Sequence, residues 1–320
     1  MTRRGWWMAC AVAVPVTIAG FWMLHARSNK DARVVHRTVF RDYLIDSRSR
    51  MVAYSPGRDA LADPQHRVLR QQLATLREKF DGLSIYECGP EAPTLVEMAR
   101  SLGYRAVLLT VWDPRSESEL ATSASIVREQ AGALAVAISI GSEGLMENRY
   151  TLADMQSARA ELQQRGDPSA AVEMTTTEPW WMYMRPENRA LREFGEFTSI
   201  NIHVVWDTDI VDPKLAASWT RDRANEVRKV VVGPMLLREA GIPGGGSSPR
   251  LGKSLVFDRA MEAAYWKAWN GLDERTPAVV FEGIDNPEKH WRDFEGSWGL
   301  LSTTLEPWPV WGVFPPLAKP

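Results

Sequence analysis

The feature that most limits what this chain can fold into is a repeated alternation between two kinds of segment. From Met51 onward, short β-prone runs are separated by longer stretches with helical periodicity. The short runs are MVAY (51–54), LSIY (83–86), RAVLLTVW (105–112), LAVAISIG (134–141), AVEMTTT (171–177), TSINIHVVW (198–206), MLLRE (235–239) and AVVFE (278–282). The apolar spacing predicts helices at 65–79, 91–102, 117–131, 151–164, 187–194, 213–232 and 253–270. The first of these carries Val68, Leu69, Leu73, Leu76 and Phe80 near one face. The sixth opens on Asp212 as a cap, followed by Pro213, whose missing N–H costs little there. Strands alternating with helices pair in parallel, because crossover helices cover the sheet. Six such units suit an open doubly wound sheet, whereas eight in one chain fit a closed (β/α)8 barrel better. The KVVV run at 229–232 is an alternative seventh strand, but Gly233 and Pro234 read as the stop of a helix, with Met235 beginning the strand.

Core size does not limit such a fold: the chain has 320 residues, 45% of them hydrophobic, and a barrel uses this length as one domain. Two cysteines, Cys10 and Cys88, make no disulfide framework. The formal charge is −2, with both signs interspersed, so the basic stripe needed by a phosphate backbone is missing and nucleic acid is excluded as a partner. The 14 tryptophans are the compositional excess, and their rings serve equally to fill a core or to stack on sugar faces.

Residues Gly5 to Leu24 are uncharged and follow Arg3 and Arg4. At 1.5 Å per residue a helix of this length spans about 30 Å, the thickness of a bilayer core. This predicts a transmembrane helix with a cytoplasmic N-terminus, a single-pass inner-membrane location and a domain facing the periplasm or exterior; a cleaved signal peptide is the alternative. The expected organisation is an anchor at 1–25, a tether and lead-in at 26–50, an α/β barrel at 51–311 and a tail at 312–320. The stretch IPGGGSSPRLG, 242–252, reads as a long loop after the seventh strand, since no glycine stands five positions before Gly252 to complete a phosphate-binding loop.

In a barrel the C-terminal ends of the strands carry the site, so a charge that ends an apolar run is informative. Glu143 follows AVAISIGS and Glu239 ends MLLRE. Two carboxylates facing one another divide acid and base work when their environments push their pKa values apart, and glycoside hydrolysis uses such a pair. Surface carboxylates or helix caps are the plain alternative for both. Asn201 and His203 lie two positions apart and share one face of the sixth strand. The five histidines (His25, His36, His66, His203 and His290) form no metal motif, so neither a metal nor a cofactor is expected.

Together these residues resemble glycoside hydrolase family 17, the β-1,3-glucanase-like barrels. The family's VGNE at the end of strand four resembles IGSE (140–143), its NIHPFW resembles NIHVVW (201–206), and its ETGWPS resembles EAGIPG (239–244). Its FEAFDEPWK, EG and WGLF resemble FEGIDNPEK (281–289), EG (295–296) and WGLL (298–301), in the same order. The resemblance implies a retaining β-glucan hydrolase or transglycosylase, with Glu143 as acid/base and Glu239 as nucleophile. It implies supporting roles for Ser142, Glu282, Lys289 and Glu295. It further implies sugar contacts from Tyr54, Tyr86, Asn201, His203, Trp206 and Trp298, with Trp180 and Trp181 as further stacking faces. The implied partner is a β-linked glucan or oligosaccharide. Three positions depart from the pattern: Ser142 replaces an Asn, Ile242 a Trp and Ser84 an Arg. Those departures leave a carbohydrate-binding barrel without turnover as the alternative.

Overall fold

The computed structural model describes residues 39–166, 172–273 and 275–318, without the side chains of 252–254. Eight parallel strands close into a barrel: β1 (Met51–Tyr54), β2 (Gly82–Ile85), β3 (Ala106–Val111), β4 (Ala135–Ser142), β5 (Glu173–Pro179), β6 (Thr198–His203), β7 (Met235–Gly241) and, after a two-stranded hairpin of β8 (Ser247–Ser248) and β9 (Gly252–Val256), β10 (Ala278–Val280). Each strand pairs with its neighbour in sequence, and β10 closes the ring by pairing with both β1 and β7. All eight runs read from the sequence become barrel strands.

Helices stand outside where the apolar spacing places them. Pro213–Arg228 is capped by Asp212, whose carboxylate accepts the N–H groups of Lys214 and Leu215 at 2.8 and 2.9 Å. Leu152–Arg165 opens on a reciprocal capping box between Thr151 and Asp154. Two expectations are corrected. The stretch 253–270 becomes helical only from Arg259, because 252–256 is drawn into the hairpin with Ser247–Ser248. The helix expected at 187–194 is broken into Trp180–Met184, a 3-10 turn at Pro186–Asn188, and Arg189–Arg192. KVVV is not a strand, and the helix before it stops at Arg228.

A larger correction concerns the membrane. The longest described helix, Pro213–Arg228, has 16 residues and a polar face, short of the roughly 20 apolar residues a span needs. No described helix is long and apolar enough to cross a membrane, and Gly5 to Leu24 lies outside the described residues. Among the described residues no transmembrane helix accompanies the barrel, and the membrane as partner and the single-pass, periplasm-facing location are withdrawn.

The barrel interior is layered. At the N-terminal end, Met51, Ala106, Leu108, Ala135, Ala137, Phe197 and Leu236 form an apolar floor under the helix Phe40–Ile45. Phe40 packs on Phe197 with ring centroids 5.2 Å apart, and the Tyr43 hydroxyl donates to Asp81 at 2.8 Å. Above the floor lies a layer of hydroxyls. Ser139 and Thr177 are 3.0 Å apart, and Thr177 donates to Ser199 at 2.9 Å. The acidic residues stand above that layer, at the mouth.

Candidate active site

Three irregularities aim side chains into the mouth. Between Ser139 and Ser142 the pairing of β4 with β5 shifts by one residue, and the chain then turns through Gly141 (φ 80°) and Glu143 (φ 57°). A left-handed conformation is uncommon for a glutamate and is held here by context: the Glu143 N–H donates to the Thr177 carbonyl at 2.8 Å. At Gly141 a Cβ would lie 2.0 Å from the Tyr150 hydroxyl, so glycine is needed for close approach as well as for φ. On β7, Leu237 pairs with Ile200 and Glu239 with Asn201, which leaves Arg238 as an extra residue. Such a bulge re-aims side chains, and both Arg238 and Glu239 face inward.

Glu143 and Glu239 meet across the mouth. One oxygen from each, together with a ring nitrogen of His203, lie within 4.8 Å of one another. Asn201 Nδ2 donates to Glu143 Oε1 at 2.9 Å, while His203 Nε2 lies 2.8 Å from Glu239 Oε2. The two carboxyls are driven in opposite directions. Burial, then the neighbouring Glu239 charge, pushes Glu143 up. Burial acts the same way on Glu239, but the His203 hydrogen bond and the charges of His203, Arg238 and Lys289 outweigh it and hold that carboxyl below its ordinary range. His203 is disfavoured as a cation by burial, yet the bond to Glu239 and the surrounding carboxylates raise it to about 9. The arrangement at neutral pH is a protonatable Glu143 facing an ionised Glu239 bonded to an imidazolium.

The rest of the predicted set divides. Lys289 Nζ donates to the buried Glu282 at 2.7 Å, and burial pushes both Glu282 and Glu295 up. Trp298 is buried edge-on to His203 and Phe281, at 5.8 and 5.3 Å. Trp206 is partly exposed, edge-on to Phe294 and with the Arg292 guanidinium 5.9 Å from its ring centroid. Tyr86 packs on Phe281 and feels the Glu239 charge. Ser142 is buried and accepts from Arg149 through its carbonyl. Tyr54 is not brought to the mouth; its hydroxyl donates to Gln72 at 2.6 Å on the helix side of β1. Trp180 turns away as well, donating to Asp207 at 2.9 Å and packing edge-on to Trp219, while Trp181 lies under Arg185 at 4.4 Å.

Several buried polar atoms around the two carboxylates have no hydrogen-bond partner: Asn201 Oδ1, His203 Nδ1, Glu282 Oε1 and Trp298 Nε1. Buried polar groups are ordinarily satisfied. A cluster of unsatisfied donors and acceptors beside two carboxylates matches the needs of a ligand rich in hydroxyls.

The chain superposes on a β-1,3-glucanosyltransferase of Rhizomucor miehei, solved as an active-site mutant with laminaritriose, with a TM-score of 0.64 at 17% identity over 82% of this chain and 96% of that one. It also superposes on the β-glucuronidase of Ruminococcus gnavus (TM-score 0.61, 14% identity, 83% of this chain and 49% of that one). A family 2 β-galacturonidase of Eisenbergiella tayi bound to galacturonate gives 0.54 at 11% identity, over 83% and 50%. The closed parallel barrel is the fold shared with these proteins. At these identities the likeness is one of fold and singles out no one family, and the chain spans about half the length of the glucuronidase and galacturonidase chains. No protein-family model and no curated protein matches the chain.

Two further carboxylate and guanidinium groups of this barrel belong to the site's surroundings but were not singled out in the sequence. Arg238 is fully buried inside the barrel, and its signal was a basic residue directly before Glu239 at the end of the apolar run MLLRE. Glu178, also fully buried, is the next-to-last residue of β5 and accepts the N–H groups of Leu145 and Met146 at 3.0 and 3.2 Å. Glu143, His203 and Glu239 also make a three-ligand set in donor type, although the His203 nitrogen facing the group is already committed to Glu239.

Proposed function

We propose that the chain is a retaining β-glucan hydrolase or transglycosylase of the family 17 type, with Glu143 as acid/base and Glu239 as nucleophile. The observation that carries this reading is that an oxygen of Glu143 and an oxygen of Glu239 lie within 4.8 Å of one another. Retaining enzymes hold theirs about 5 to 5.5 Å apart, and inverting enzymes about 6.5 to 9.5 Å apart to admit a water. The opposite displacement of the two pKa values supports the same division of labour.

In the first step a Glu239 oxygen attacks the anomeric carbon, while the glycosidic C–O bond breaks and its oxygen takes the Glu143 proton. The departing chain leaves with its new hydroxyl. In the second step water, or the hydroxyl of an acceptor sugar, gives its proton to Glu143 and attacks the same carbon, releasing Glu239. Each displacement inverts the centre, so configuration is retained overall. Asn201 holds the Glu143 carboxyl in place, and the charged His203 keeps Glu239 ionised between turnovers. The glucan as ligand is supported by the laminaritriose bound to the superposed Rhizomucor glucanosyltransferase and by the unsatisfied polar atoms around Glu239.

The test is hydrolysis of linkage-defined β-glucans followed by early-time NMR. The first product should keep the substrate's anomeric configuration. Glu143→Gln should lower turnover of poor leaving groups by about 10² to 10⁴-fold, spare an activated leaving group in its first step, and respond to azide in the second. Glu239→Ala should suppress both substrates, because protonation cannot replace covalent attack. Activity should also survive chelators. Inverted product, or undiminished turnover by purified Glu239→Ala, refutes the assignment; binding of every linkage without turnover favours a carbohydrate-binding barrel.

A further inference from the structure

Arg238 is the largest charged side chain in the barrel interior and has no exposed surface. Its partners are two neutral hydroxyls on the opposite side of the ring: Nε donates to Ser84 Oγ of β2 at 3.2 Å, and Nη2 to Thr110 Oγ1 of β3 at 2.6 Å. Nη1 is buried without a partner. The guanidinium carbon lies 4.3 Å from the centroid of the Tyr86 ring. Taking a guanidinium out of water is costly, and two neutral acceptors compensate it poorly. The bulge that turns Arg238 inward is the same irregularity that turns Glu239 inward, so the two neighbours are aimed by one backbone feature.

We propose that Arg238 is a positioning residue for Glu239: anchored across the barrel on Ser84 and Thr110, it supports Tyr86 from below and supplies a fixed positive charge beneath the Glu239 carboxylate. This rests on the nucleophile reading of Glu239. Ser84 is essential to the arrangement because a larger residue on β2 would occupy the volume that the guanidinium fills. The geometry thus accounts for a small residue at position 84 together with a cation at position 238. The other groups whose charge reaches Glu239 are His203 from β6, Glu143 after β4, Tyr86 after β2, and Lys289, Glu282 and Glu295 after β10. Of the cations among these, Lys289 is hydrogen-bonded to Glu282 and His203 also acts on Glu143 and Glu295, whereas Arg238 is bonded to no carboxylate.

The experiment is a carbon-13 NMR titration of the full chain labelled in its glutamate carboxyls, with the Glu239 signal assigned by its loss in Glu239→Gln. Arg238→Met should raise the Glu239 midpoint, and the acid limb of kcat/KM, by about one pH unit or more, whereas Arg238→Lys should shift both by less. A purely structural role would lower Tm and kcat while leaving the midpoint in place, and that result overturns the proposal. If Arg238→Met does not fold, Thr110→Val frees the guanidinium from one anchor without removing its charge. It should lower kcat more than it changes KM and raise the Glu239 midpoint; an unmoved midpoint again overturns the proposal. The titration needs no turnover. A wild-type chain inactive on every glucan would therefore sink the glycosidase reading, while the midpoints would still decide whether Arg238 acts on Glu239.

Discussion

His203 shows how one side chain couples folding to the proposed chemistry. Its imidazole is almost enclosed, packed edge-on to Phe281 and Trp298, and bonded through Nε2 to Glu239. Burial alone would neutralise it, but the carboxylates prevail and raise it from 6.5 to about 9. A histidine raised in the folded state contributes stability that is fully present below its unfolded value and is lost as pH rises through the folded value. The window is therefore pH 6.5 to 9, and the contribution shared with Glu239 is on the order of 1 to 3 kcal/mol. Thermal unfolding of wild type and His203→Gln across that window should give a Tm difference that narrows steadily as pH rises. A difference constant from pH 6 to 10 would show that no imidazolium is involved. The sequence made this residue visible through its two-position spacing from Asn201. The same alternation sends Tyr54 outward with Val52, while Met51 and Ala53 face in; strand parity was thus a better guide to Tyr54 than its place at a strand end.

Glu178 acts at the scale of an element. It is the next-to-last residue of β5 and accepts two N–H groups from the turn that follows Glu143, clamping that turn against the next strand. Burial pushes its carboxyl from 4.5 to about 7, against the two donors that favour the ionised form. Here the sign is opposite to that of His203. The folded state binds a proton that the unfolded state has lost, so stability falls as pH rises from 4.5 to 7 and levels off above. Other buried carboxyls are raised too, which makes the difference between variants the informative quantity. Relative to Glu178→Gln, wild type should lose on the order of 3 kcal/mol between pH 4.5 and 7, read from urea midpoints at each pH. Parallel stability curves would reject the buried, protonatable Glu178. The strands themselves were legible because each is a short β-prone run separated from the next by a longer stretch of helical periodicity. The bulges in β4 and β7 were not, since a bulge exists only relative to the partner strand's register. Glu143 and Glu239 were therefore visible as strand-end charges, whereas the inward turn of Arg238 was not.

At the scale of the whole molecule, the ring of helices is closed by a segment that is not an α-helix. β10 ends at Val280, and no α-helix follows it among the described residues. Its place is taken by the strap that runs through Trp308 and the 3-10 turn Pro309–Val313 to Phe314. Near the mouth, Trp308 Nε1 donates to Asp285 at 2.8 Å, and Asp285 is also held by both Arg259 Nη2 contacts, at 2.8 and 2.7 Å. Further down, Phe314 packs between Phe80 and Trp266, at 5.2 and 5.8 Å. At the lower end Lys79 donates to the Trp311 carbonyl, and the Leu317 N–H donates to Glu78 at 2.8 Å. Phe80 follows the first long helix and Trp266 lies in the last, so the strap joins the two ends of the ring. Phe314→Ala removes a buried ring from that junction and should cost about 3 to 5 kcal/mol. Because a closed parallel sheet gives neither end an independent core, the loss should appear as one cooperative transition moved to lower urea, with its slope unchanged. The site lies at the other end of the barrel axis, so the variant should keep the wild-type pH profile at temperatures where it remains folded. A second unfolding phase would mean that the strap and the last helix form a separate unit, and a shifted pH profile would mean that the strap reaches the carboxylates through Asp285 and Arg259.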